Sequence, residues 1–162
     1  MRTLVWLDRQ AHEEAIGVPP REYWYPRISL DGTRIALDIR DQDNDVWIWN
    51  AAGKTLSRLA LDPLLDSDPV RTPDEKRLFF GSNRNKTQRS ICWQSADGTG
   101  AVERVTKTAG ADQLPISISP DFRAANRSAC SSRNGRYASD RSVQSNSGAV
   151  ETSSWSRNGW KS

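Results

Sequence analysis

The densest run of carboxylates in the chain is Asp41-Gln42-Asp43-Asn44-Asp45. Carboxylates at alternate positions can converge on Ca²⁺, which takes about six to eight oxygen ligands. Asp41, Asp43 and Asp45 are therefore the weak candidate metal ligands. The rest of a calcium loop is missing, because the glycine of an EF-hand would fall at Val46 and its closing glutamate at Ala52. A solvated loop is the expected state, and no metal or other cofactor is expected. Nucleophilic catalysis would need a histidine beside a positioned serine or cysteine and an acid. His12 is the only histidine, and no Gly-x-Ser-x-Gly elbow accompanies it. No catalytic residue is assigned, and the chain is expected not to be an enzyme. Gly98-Thr99-Gly100 lacks the further glycine and the helix of a phosphate-binding loop. The two cysteines, Cys92 and Cys130, have no second Cys or His at zinc spacing, and Cys92 reads as a small buried hydrophobe.

What positions these residues is a repeat. Tyr25 to Leu37 is a short apolar run, a tight turn at Asp31-Gly32 and a second apolar run. The same pattern returns at Asp68 to Gly81 around Asp74, and begins a third time at Pro115 to Asp121. The turn aspartates Asp31, Asp74 and Asp121 stand 43 and 47 residues apart. A repeat of that length built from short strands is the signature of a β-propeller blade. A second set of matches agrees: Thr3–Asp8, Asp45–Asn50 and Ser90–Ser95 end at Asp8, Asn50 and Ser95, 42 and 45 residues apart. Turns then lead to outer strands at His12–Ile16, Thr55–Ala60 and Val102–Thr106. With strands named A to D from the centre outward, the order is C-D, A-B-C-D twice, then A. Val46-Trp47-Ile48-Trp49 is apolar on both faces, as a strand sandwiched between blades should be.

The A–B turn has its own chemistry. Proline presets φ in Thr72-Pro73-Asp74 and Ser119-Pro120-Asp121, and the residue after Asp takes the left-handed conformation. Gly32 fills that place in the first copy, Glu75 in the second and Phe122 in the third. A side chain there costs about 1 kcal/mol or more, because Cβ crowds the backbone at positive φ.

The D–A connections share one rim with the B–C loops, here Ile39–Asn44 and Ser82–Arg89. Aromatic and arginine side chains anchor protein interfaces, which makes Tyr23, Trp24, Arg27, Arg40, Arg84 and Arg89 the candidate protein-binding residues. The competing expectation is that Trp24 and Tyr25 wedge between blades.

After Phe122 the repeat disappears. Residues 123–162 contain no Leu or Ile and eleven Ser, too little apolar surface to offset chain entropy. The expected fold is all-β: a partial β-propeller of about two and a half four-stranded blades over 1–121, followed by a disordered Ser/Arg-rich tail over 122–162. A reading-frame change after Asp121 would account for a repeat that stops inside its motif. The tail also carries the basic charge. It has seven Lys/Arg against two Asp/Glu (+5), which leaves 16 basic and 18 acidic residues (−2) in 1–122 of a chain at +3 overall. No basic patch with interleaved aromatics lies in the repeats, so no nucleic-acid partner is expected.

Between Met1 and Asp8 the apolar run is four residues, too short for a signal peptide or a membrane span. As given, the chain is expected to be cytoplasmic, with an extracytoplasmic site if it belongs to a longer exported protein. Propellers close with roughly four to eight blades, so an arc of this size is expected to self-associate through its open edges or to be part of something larger.

These residues resemble the WD40-like β-propeller repeats of TolB-type proteins. The resemblance rests on the Ser-Pro-Asp turns and their flanks at 29–37, 72–80 and 119–121 and on the Asp-Val-Trp strand at 45–47. The opening Thr3 to Gln10 and the turn Ala96 to Gly100 look like propellers attached to bacterial serine/threonine kinases. Arg71 departs from the pattern, where an aromatic residue usually precedes the turn. The resemblance implies a non-catalytic platform for protein–protein contact. Alternatively, it implies a regulatory or gating module of a longer enzyme, a serine/threonine kinase or a prolyl-oligopeptidase-type hydrolase, whose catalytic domain is absent here.

Overall fold

The computed structural model describes residues 1–61, 63–84, 86, 88–107 and 111–120, together with the backbone of strands at 125–130 and 137–140. Every regular element among them is a strand. A two-stranded sheet, β1 (Val5–Leu7) and β2 (Glu13–Ala15), comes first. The first full blade is β3 (Tyr23–Ile28), β4 (Arg34–Arg40), β5 (Asn44–Asn50) and β6 (Thr55–Arg58). The second is β7 (Asp66–Arg71), β8 (Arg77–Ser82), β9 (Ser90–Ser95) and β10 (Glu103–Arg104). A third sheet holds β11 (Asp112–Ile118), β12 (Ala125–Cys130) and β13 (Tyr137–Asp140). Neighbours in each sheet are consecutive in sequence and antiparallel, which is the meander of a propeller blade.

The expected order C-D, A-B-C-D, A-B-C-D, A is present. The outer strands are shorter than the sequence suggests, because their last residues turn into the core, where Leu59 and Ala60 are buried. The third sheet extends further than expected. β12 pairs with β11 from Asp112↔Cys130 to Ile118↔Ala125, and β13 pairs with β12, so the backbone supplies strands in the region read as a tail without regular structure. The remainder of 122–162, including Phe122 at the third turn, lies outside the described residues.

Period-2 alternation sorts the side chains to two blade interfaces. Ile35, Leu37, Ile39 and Trp49, with Trp47, face β1–β2 and meet Leu4, Trp6, Ile16, Val18 and Tyr23. The opposite face of the same blade presents Ala36, Val46 and Ile48 to Leu78, Phe80 and Cys92 of the second. Both faces of β5 are thus apolar because both are covered. Each fully buried large side chain contributes about 1.5–3 kcal/mol, so the interfaces between blades carry most of the stabilisation.

The A–B hairpins repeat atom for atom. The Gly32 N–H donates to Ser29 O at 2.9 Å and the Glu75 N–H to Thr72 O at 2.9 Å. The Ser29 hydroxyl donates to Asp31 at 2.5 Å and accepts the Arg34 N–H at 2.9 Å. The Thr72 hydroxyl donates to Asp74 at 2.6 Å and accepts the Arg77 N–H at 3.0 Å. Asp31 accepts from the Thr33 N–H at 3.0 Å and Asp74 from the Lys76 N–H at 3.1 Å. Gly32 has φ +70° and Glu75 φ +60°, the left-handed geometry expected from their place in the turn.

The inner strands carry a second irregularity. β3 and β7 each bulge, with Tyr25 at φ +45° and Asp68 at φ +56°, at equivalent places 43 residues apart. A non-glycine residue there is held by its surroundings. For Asp68 the holder is Asp38 of the preceding blade, whose carboxylate accepts the Asp68 N–H at 3.1 Å. One blade later, Gly81 stands where Asp38 stood and Pro115, which has no N–H, stands where Asp68 stood. A Cβ on Gly81 would run into Leu114. The first interface is pinned by a polar bond and the second by close approach, with the residues on both sides changed together.

Candidate functional site

The D–A connections and B–C loops do share a rim. The Arg40 N–H donates to Glu22 O at 3.0 Å and the Asn83 N–H to Leu65 O at 3.1 Å, again 43 residues apart. On this rim Arg40 lies with its guanidinium 5.1 Å from the Trp24 ring centroid and 5.5 Å from that of Tyr25. Arg2 stacks on Trp24 at 3.9 Å and donates to Tyr23 O at 3.1 Å. Behind them Asp38, with no exposed surface, takes a two-bond fork from Arg40 at 3.0 and 2.7 Å. That bond holds the Arg40 guanidinium charged more firmly than usual. Asp68 adds a second carboxylate 3.8 Å from Arg40. The result is a half-exposed layer of two guanidinium groups and two rings, with 43 % of Tyr25 exposed, over a buried carboxylate.

The remaining sequence candidates fall in different places. Tyr23 is buried and donates its hydroxyl to Pro19 O; it is the aromatic that wedges between sheets, in place of Trp24 and Tyr25. Arg27 lies on the inner strand, where its carbonyl accepts Arg71 Nε–H at 3.3 Å. Arg84 donates to Asp66 at 3.0 Å and to the Ser82 hydroxyl at 2.9 Å. Arg89 donates to Asp112 at 3.1 Å, tying the second blade to β11. Arg40, Arg84 and Arg89 therefore all lean on aspartates of the two inner strands of a sheet, Asp38 within β4 and Asp66 and Asp112 at the starts of β7 and β11. The rim is a row of arginine–aspartate pairs. Asp66 is wholly buried, and burial pushes its carboxyl up to about 6 against the opposing pull of Ser82 and Arg84.

Asp41, Asp43 and Asp45 do not converge. Asp41 accepts from Arg21 at 2.8 Å, which lowers its pKa. Asp45 is buried against Arg58. No group of three metal-ligating side chains occurs among the described residues. His12 sits before β2 with its ring 81 % exposed, and its Nδ1 is 3.1 Å from Asp8. Burial raises the Cys92 thiol above its ordinary range. Among the described residues no helix is long and apolar enough to cross a membrane.

Sequence reasoning missed Arg2 and Asp38. For Asp38 a signal existed: a single charge inside the apolar run Ile35 to Ile39 must find a partner when buried. For Arg2 nothing local marks the contact, which the Arg2↔Arg21 bridge creates.

No family model matches the sequence, and no curated protein matches it. Solved structures do. TolB from Acinetobacter baumannii superposes with a TM-score of 0.65 at 20 % identity, over 82 % of this chain and 33 % of that one. A putative TolB from Agrobacterium tumefaciens gives 0.70 at 21 % identity, over 86 % of this chain and 51 % of that one. The tricorn protease gives 0.52 at 17 % identity, over 68 % of this chain and 11 % of that one. The chain spans about a third and about half of the two TolB structures. In fold it is a TolB-like β-propeller segment.

Proposed function

We propose that this propeller segment is a non-catalytic platform for protein–protein contact, and that the partner docks on the rim around Trp24 and Arg40. The supporting observation is the Arg2–Trp24–Arg40 layer. Aromatic and arginine side chains held rigid and half-exposed lose little entropy on binding, and they dominate interface energetics. Asp38 supplies the rigidity by fixing Arg40. Arg84 and Arg89, each braced by an aspartate, extend the same surface along the next blade.

A photo-crosslinking side chain at Tyr25, compared with one at Glu14 on the outer edge, tests this in the organism's own extract. Discrete protein adducts from Tyr25 alone support the rim. Equal patterns from both positions count against it. The likeness to the tricorn protease favours a second reading, a propeller that regulates an enzyme within a longer chain. Under that reading the adducts from Tyr25 would join the rim to sequence encoded in frame with it.

A further inference from the structure

We infer that the cleft between the first full blade and the turn after β9 binds a compact oxyanion, the carboxylate or phosphate group of a small hydrophilic molecule. The cleft holds about 300 Å³. Strand alternation sets it on the opposite side of the sheet from Trp47 and Trp49. Its floor is a row across three strands. Arg34 pairs with Asn50 in the β4–β5 register, and Asn50 pairs with Thr55 in the β5–β6 register. Ile48 and Ser57 form the next row inward, and Asp97 and Gly98 of the second blade close the mouth.

The row offers donors. Asn50 Oδ1 accepts the Gly53 N–H at 3.0 Å, which leaves the amide NH₂ to donate. The Thr55 and Ser57 hydroxyls line the same wall. The Arg34 guanidinium makes no ion pair or hydrogen bond among the described residues. Asp31, whose charge Arg34 feels without forming an ion pair, has its Oδ1 occupied by Ser29 and Thr33 within its own turn. Asp97 is likewise turned into its own loop, accepting the Thr99 N–H at 2.9 Å and the Thr99 hydroxyl at 2.6 Å.

The matching position in the second blade shows what the row lacks. Arg77 stands where Arg34 stands, and Trp93 stands where Ile48 stands. Arg77 lies over the Trp93 ring at 4.3 Å, so its charge is seated by cation–π attraction. In the first blade no ring fills that space, and an open, donor-lined cleft remains around the equivalent arginine. A planar guanidinium with adjacent hydroxyl and amide donors matches a carboxylate or phosphate, which takes a forked pair of N–H bonds. The cleft is remote from the Trp24–Arg40 rim, so this inference stands apart from the docking proposal.

The full chain, labelled with ¹⁵N, is titrated separately with inorganic phosphate and with acetate at constant ionic strength. Saturable shifts confined to residues 34, 50, 53–57 and 97–98 are expected, and the anion that saturates at the lower concentration identifies the group. Arg34→Gln should weaken binding roughly tenfold or more. Asn50→Asp keeps the bond to Gly53 but sets a charge against the anion, and should do the same. Arg9→Gln makes the equal charge change elsewhere and should leave binding intact. Shifts that never saturate with either anion, or that survive in both cleft variants, overturn the inference.

Discussion

The guanidinium of Arg71 lies 3.3 Å from the carboxylate of Glu75, and these two residues replace Ile28 and Gly32 of the preceding blade. Each looks like a defect in the repeat when taken singly. Arg71 is a cation with a side chain only 7 % exposed, its pKa lowered mainly by burial. Glu75 is a side chain at positive φ. Together they are one compensated change, because the strained turn position delivers the counter-charge that the buried arginine needs.

The pairing decides the sign of a substitution. Glu75→Gly relieves about 1 kcal/mol of turn strain. It also strips a buried guanidinium of its carboxylate, at a cost of roughly 2 kcal/mol or more. The single variant should be less stable than the parent by about 1 kcal/mol. Arg71→Ile with Glu75→Gly, which restores the pair of the first blade, should be more stable by a similar amount. A double-mutant cycle in urea measures the coupling; additive effects would show that the two residues do not act as a pair.

Asp38→Ala should be among the most damaging single changes. It leaves Arg40 without its fork and the Asp68 N–H without an acceptor, a loss of about 3 kcal/mol. Asp38→Asn retains an acceptor for the N–H and should lose less. A midpoint shift in urea equivalent to under about 0.5 kcal/mol for Asp38→Ala would mean that the bulge of β7 is not held from the neighbouring blade.

Asp66 makes stability depend on pH in an unusual direction. Its folded-state pKa is raised from 3.8 to about 6, so between those values the folded chain binds a proton that the unfolded chain has lost. Stability from this group therefore falls as pH rises from about 4 to 6, by on the order of 2–3 kcal/mol. Asp31 and Asp97, each held at about 2 by hydrogen bonds within their turns, act oppositely, and their contribution is lost as pH falls below about 4. Asp66→Asn should abolish the slope between about pH 4 and 6 and leave the acid limb in place. Parallel curves for parent and variant across that window would contradict the assignment.

The turns were legible in the sequence because the residues that make them are local: Asp31 and Asp74 bind backbone two residues on, and Gly32 marks the position that Glu75 shares. The sandwiching of β5 was legible because Val46 to Trp49 leaves no polar face. The bulges at Tyr25 and Asp68 were not, since a bulky aromatic rarely takes positive φ and the holder of Asp68 is Asp38, 30 residues away. The rim was half legible. Tyr23, Trp24 and Tyr25 are adjacent and of one chemical kind, yet alternation sends Tyr23 inward and Trp24 outward, and the bulge at Tyr25 turns that ring outward as well. Nor does local sequence show that Arg84 meets Asp66 or that Arg89 meets Asp112, 18 and 23 residues away.

Apolar side chains left uncovered set the association behaviour. Val5, Leu7, Ile28 and Ile116 are all exposed, Leu7 the most at 64 %, and β1 pairs with β2 alone among the described residues. Such strand edges pair with other chains. Light scattering behind a sizing column should show concentration-dependent self-association of the isolated chain. Leu7→Lys should reduce it by placing a charge on the edge. A sharp monomer at all concentrations would show that the arc stands alone.

Blades that stack through their apolar faces hold this fold together, and contact between the first two full blades tests that most directly. Nuclear Overhauser contacts should join Phe80 and Leu78 to Val46, Ile48 and Ala36, the residues that meet in one core. They should appear alongside the cross-strand contacts Arg34↔Asn50 and Arg77↔Ser95. Cross-strand contacts without any between Phe80 and Val46 or Ile48 would mean two independent sheets, and would contradict the propeller arrangement.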